Sequence, residues 1–145
     1  MATSALHDFP CFQLYLGWRR AQAFYKPLLE PDLCPQRMYV LELLDEGEWR
    51  MGDLARELDV EPGSISGLVS RMERDGLVER RRGKQDRLSV TVRPTRQGRA
   101  AYRRVGERIL ERDQQLLAEI GSRDLAALQR VVAVLGRLSA EDPED

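Results

Sequence analysis

RMGDLARELDVEPGSISGLVSRMERDGLVERRR, residues 50–82, decides the fold. Within it Leu54, Leu58, Ile65, Leu68, Val69, Met72 and Leu77 recur at helical spacing, broken by turn residues at Glu61, Pro62 and Gly63. Two amphipathic helices therefore meet at a tight corner. The second starts near Pro62, because proline is tolerated in a first helical turn, and stops at Gly76, which suits the position just past a helix end. A strand from Leu77 to Arg82, a turn over 83–87 and a strand from Leu88 to Arg93 with β-branched alternation in SVTV then make a hairpin. Short helix, turn, helix and arginine-loaded hairpin predict a winged helix-turn-helix. The fold class is mainly α with a small β-hairpin wing.

The early exposed face of the second helix carries Ser64, Ser66 and Gly67. Small side chains there let a helix sit deep in a major groove, and Arg71 lies further along to reach a phosphate or a guanine. From Arg71 to Arg104 there are twelve Lys or Arg against four Asp or Glu, a local net of +8, so the rest of the chain carries −9 to reach the overall −1. Such a block supplies the salt-dependent part of DNA affinity through counterion release, although arginine runs are often plain solvated surface.

Outward from this unit, Asp8 to Leu29 reads as one long helix with Asp8 as N-cap, Pro10 in its first turn and Pro31 beyond its end. A helix from Pro35 to about Leu44 follows. The C-terminal third holds two more, Thr95 to about Ile120 and Arg123 to Leu138, broken at Gly121. Leu116, Leu117, Ile120, Leu125, Leu128, Val131, Val132, Val134, Leu135 and Leu138 give these last helices more apolar surface than a small winged lobe covers. A homodimer is expected, since paired recognition helices also match a pseudo-palindromic operator in double-stranded DNA. The organisation expected is a single domain over 1–145, with dimerisation helices at 8–30 and 95–140 around a DNA-binding lobe at 35–94. Residues 1–6 and 140–145 read as loose ends.

At 145 residues, 42% hydrophobic and 32% charged, the chain has the composition of an ordinary helix-rich globular protein. No segment resembles a signal peptide or a bilayer span, so no membrane partner and a cytoplasmic location are expected. One histidine and two cysteines, with no C-x-x-C pair, do not close a typical zinc site. Glycines 47, 52, 63, 67, 76 and 83 fall at separate turns or in the recognition helix and make no phosphate loop. Neither metal nor cofactor is expected, and no catalytic constellation points to an enzyme.

Across essentially its whole length the chain resembles the MarR family of dimeric winged-helix transcription regulators, through LARELDVEPGSISGLVSRMERDGLVERR followed by a wing and TRQG. The family's wing usually reads Asp-x-Arg, five residues, then Leu-Thr-x-x-Gly. Asp86, Thr95 and Gly98 keep that register, whereas Leu88 stands at the arginine position, Pro94 replaces the leucine and the arginine is shifted to Arg87. The resemblance implies Arg87 as the minor-groove candidate beside Asp86, with Arg80, Arg81, Arg82 and Lys84 as backbone contacts.

CFQLY followed by YKPLLE resembles the organic-hydroperoxide-sensing branch of that family. This implies Cys11 as the peroxide sensor, Tyr15 and Tyr25 as its orienting phenols, and a repressor that leaves its operator on oxidation. Cys34 stands where that branch commonly has a further tyrosine and is a candidate resolving thiol. Independently, a cysteine in the first turn of a helix feels the positive end of the helix dipole, which favours the nucleophilic thiolate and its oxidation to sulfenic acid. Free cysteine is also often a small buried hydrophobe. The alternative is a repressor controlled by a phenolic or other small ligand, with Trp18, Arg19 and Tyr39 furnishing its pocket.

Overall fold

In the computed structural model the chain divides into two compact units, Met1–Arg108 and Ile109–Asp145. Residues 5–83, 86 and 88–141 are described. The first unit opens with a 3-10 turn, Ala5–Asp8, and helix α1, Pro10–Tyr25, then a second 3-10 turn at Lys26–Leu28. Helix α2, Pro35–Asp45, strand β1, Trp49–Arg50, and helices α3, Met51–Glu57, and α4, Pro62–Arg74, follow. Strands β2, Val78–Arg82, and β3, Val90–Pro94, lead into helix α5, Arg96–Glu141.

The single N-terminal helix expected over Asp8 to Leu29 is three pieces. Asp8 closes the first 3-10 turn, and Phe9, which offers no side-chain acceptor, is the N-cap of α1. Pro27, not Pro31, ends the α-helix: its ring removes the N–H a continuing helix needs and crowds the preceding turn, so a 3-10 turn replaces it.

At the end of α4, Asp75 is the C-cap and Gly76 takes φ +76°, the left-handed position. The Leu77 N–H donates to Met72 O at 2.9 Å and the Gly76 N–H to Glu73 O at 3.0 Å, the paired bonds of a Schellman stop. The chain enters β2 from there. The sheet has three antiparallel strands in the order β1-β3-β2, so the wing hairpin is extended by Trp49 and Arg50 pairing with Val92 and Thr91.

The core of this unit brings Leu33, Val40, Leu41 and Leu44 together with Leu54, Ile65, Val69, Met72, Val78, Val92 and Val105, all buried. Each such side chain contributes about 1.5–3 kcal/mol relative to exposure. Leu58 and Leu68, from the same apolar pattern, are only half-buried. Arg37 donates to Asp75 at 2.7 Å, fastening α2 to the end of α4, and holds the Asp75 carboxyl below the usual range. Burial and the Glu42 carboxylate that accepts its hydroxyl push the Tyr102 phenol up.

The start of α5 is set by Thr95. Its Oγ1 accepts from the Gly98 N–H at 3.0 Å as an N-cap and donates to Gly76 O at 2.6 Å, while its own N–H donates to Leu77 O at 3.0 Å. Within the second unit the helix breaks at Gly121, φ +74° and ψ 170°, where sequence places the break. Leu116, Leu117, Leu128, Val131, Val132, Val134, Leu135 and Leu138 are all exposed. Among the described residues no helix is long and apolar enough to cross a membrane.

Candidate nucleic-acid interface and effector cavity

Helix α4 has three working sides. Ile65, Val69 and Met72 face the core. The outer crest carries Gly63, Ser66, Gly67, Ser70 and Arg74, small residues closed by a cation, with the three serines at 64, 66 and 70 exposed. The arrangement matches an element that approaches a groove closely before meeting the backbone.

One flank of α4 holds Arg80 of β2. Its guanidinium donates to Ser66 O and Ser70 Oγ, each at 2.9 Å, and to Glu73 Oε1 at 3.4 Å; its backbone N–H donates to Glu73 Oε2 at 2.8 Å. Arg80, expected as a phosphate contact, thus ties the wing to the recognition helix. Alternation turns Arg81 to the opposite face of the strand; Arg82, on the same face as Arg80 but further along β2, stays exposed like Arg81. Arg93 pairs with Glu79 on the same sheet.

Asp86 builds the wing loop. Its carboxylate accepts from the Leu88 N–H at 3.0 Å, and its carbonyl accepts from the Ser89 N–H at 3.1 Å and from Ser89 Oγ at 3.0 Å. Gly83 is required beside it, since a Cβ there would meet Asp86 O at 2.7 Å. Leu88 is 94% exposed. Lys84 and Arg87 lie outside the described residues.

The other flank of α4 borders a cavity of about 430 Å³ lined by Cys34, Gln36, Tyr39, Leu58, Val60, Ser64, Ile65, Leu68 and Arg71. That volume falls within the range of small-molecule sites. The walls are apolar, with Ser64, Gln36 and the Tyr39 hydroxyl as neutral polar groups and Arg71 as the cation. Tyr39 lines it as expected of a ligand pocket; Trp18 and Arg19, on α1, are exposed and not part of its wall. The ligand pocket expected from sequence was placed around Trp18, Arg19 and Tyr39; Gln36, Leu58, Val60 and Leu68 were not expected in its lining. The one signal was that Leu58 and Leu68 belong to the apolar pattern without being consumed by the core.

Cys11 occupies the second position of α1 and Cys34 caps α2; both are free and exposed. Tyr15 stacks on Phe12 with centroids 5.9 Å apart, and Tyr25 packs edge-on against Phe24 at 5.0 Å.

Residues 32–87 match the model of the MarR family. The homoprotocatechuate degradative operon repressor of Escherichia coli is 26% identical over 142 residues, 97% of this chain and 96% of that protein. The organic hydroperoxide resistance transcriptional regulator of Bacillus subtilis is 31% identical over 90 residues, 61% of each. Among solved structures, the PcaV transcriptional regulator from Streptomyces coelicolor in complex with its natural ligand gives a TM-score of 0.82 at 21% identity, covering 96% of this chain and 99% of that one. NadR in complex with 4-hydroxyphenylacetate gives 0.71 at 25% identity, covering 93% and 97%.

Proposed function

We propose that this chain is a dimeric repressor of the MarR type, released from its operator by a small phenolic acid; the match of residues 32–87 to the family model and the full-length similarity to the E. coli repressor support the family. The observation that carries this reading is the cavity beside α4, apolar on its walls, with one guanidinium and three neutral hydrogen-bonding side chains. A hydroxylated aromatic ring with an acidic substituent fits that chemistry: the ring lies against Leu58, Val60 and Leu68, the carboxylate meets Arg71, and the hydroxyl meets Gln36, Ser64 or Tyr39. The phenolic compounds named for the E. coli repressor and for NadR support the ligand class. Burial of the exposed apolar positions of α5 against a second copy supplies the dimer, which sets two recognition helices on successive turns of duplex DNA. Ser64, Ser66, Gly67 and Arg71 then address the major groove, and Arg81, Arg82, Lys84 and Arg87 the flanking backbone and minor groove.

Sensing of organic hydroperoxides through Cys11, resolved by Cys34 and oriented by Tyr15 and Tyr25, is the second reading. Its support is the exposed Cys11 in the first turn of α1 and the partial similarity to the B. subtilis regulator. Thermal unfolding separates the two. With 4-hydroxyphenylacetate at a hundredfold excess over its dissociation constant, binding to the folded state adds about 2.7 kcal/mol. That raises the midpoint by several degrees for a chain of this size, and equally in Cys11→Ser. No shift in either protein contradicts the ligand reading.

A further inference from the structure

Arg71 belongs to both surfaces of α4. It lines the cavity with Ser64, Ile65 and Leu68, one and two turns earlier on the same flank. Its Nη1 also reaches back to 3.5 Å from where a Cβ on Gly67 would sit, which brings the guanidinium onto the outer crest. Arg37, Arg80 and Arg93 of the same lobe are held by Asp75, Glu73 and Glu79. Among the described residues no carboxylate pairs with Arg71. The cation therefore stands at the boundary between cavity and crest.

We propose that Arg71 is a counterion shared between effector and operator, and that repression is lifted because the carboxylate of the bound aromatic acid takes it from the DNA. This rests on the effector reading above. A guanidinium forks onto one carboxylate or one phosphate in a fixed plane, so it does not serve an anion in the cavity and an anion beyond the crest together. The negative charge of the effector is then the trigger, and its ring supplies affinity alone. Effector and DNA exclude one another, so apparent DNA affinity falls in proportion to effector concentration without reaching a plateau. A change of state transmitted to the lobe from elsewhere would saturate.

The test pairs 4-hydroxyphenylacetate with its neutral analogue 4-hydroxyphenylacetamide, on wild type, Arg71→Gln and Arg71→Lys. Thermal shift reads binding to the free protein; release of a labelled duplex from upstream of its own gene reads derepression. Both compounds stabilise wild type, the acid more strongly, and only the acid releases DNA, with no plateau. Arg71→Gln binds the duplex about tenfold or more weakly, and its residual complex is not released by the acid. Arg71→Lys keeps release but with a weaker response, since an ammonium lacks the fork. Release of wild type by the amide at equal occupancy, or undiminished release of Arg71→Gln by the acid, overturns the shared counterion while leaving the effector reading intact. Absence of thermal stabilisation by either compound removes the effector reading, and this proposal with it.

Discussion

Gly98→Ala is expected to be the most damaging single-methyl change in the winged lobe. A Cβ at 98 would lie 1.9 Å from Leu77 O and 2.9 Å from its carbonyl carbon, inside any van der Waals distance and against backbone that has no rotamer to change. That carbonyl is fixed by the Thr95 N–H, and the Gly98 N–H is itself held by Thr95 Oγ1. Relief requires the start of α5 to move off the corner between α4 and β2. Overpacking that side chains can absorb costs about 1–3 kcal/mol, and a clash against backbone sits at or above the top of that range. The expected outcome is a loss of at least about 3 kcal/mol, near 10 °C in midpoint for a chain of this size. Gly17→Ala, on an exposed helical face with nothing within 4 Å of the added carbon, is the control. It is expected to gain up to about 1 kcal/mol through helix propensity. Chemical denaturation of the two variants checks both; equal stability of Gly98→Ala and wild type would contradict the packing described for TRQG.

Arg80→Ala carries the second large effect, and its signature is the salt dependence. A side chain that neutralises a phosphate contributes about 0.9 to the slope of log affinity against log salt, and its removal lowers the slope by that amount. Arg80 instead bonds to Ser66, Ser70 and Glu73, so its removal loosens the wing from the recognition helix without deleting a phosphate contact. Loss of charge-assisted hydrogen bonds costs about 1.5–3 kcal/mol each when fully formed, and partial exposure reduces this. Operator affinity is expected to fall about tenfold with the slope retained, and Glu73→Gln should fall in the same direction. Arg82→Ala, exposed on the same strand, should show the opposite pattern: a modest loss of affinity with a slope smaller by about one. A reduced slope for Arg80→Ala would put its guanidinium on the DNA.

These two residues show what sequence discloses and what it does not. The ends of α4 were legible because Pro62 and Gly76 each act through their own backbone, and the break at Gly121 is equally local. TRQG was recognisable as a pattern, but its cause is the approach of Leu77 O to Gly98, a contact 21 positions apart that only the folded corner creates. Strand β1 was missed because two residues carry no periodicity; Trp49 and Arg50 are extended only because β3 offers them an edge. The basic run 80–82 was read as three equivalent cations. Alternation separates Arg80 from Arg81, and the position of Arg80 beside α4 separates it from Arg82, because the serine and glutamate partners of Arg80 lie on that other element. The cavity has no signature of its own, because its lining comes from the start of α2, the turn between α3 and α4, and one flank of α4, segments that only the fold brings together.

Binding to the DNA upstream of its own gene, measured alone, with 4-hydroxyphenylacetate, and with cumene hydroperoxide, for wild type and Cys11→Ser side by side, separates the two kinds of switch most directly. A repressor controlled by a phenolic acid is released by the acid in both proteins and held in both when the hydroperoxide is added. Release of wild type by the hydroperoxide, with Cys11→Ser retained on DNA and the acid inert, would contradict it and move the switch from the α4 cavity to the first turn of α1.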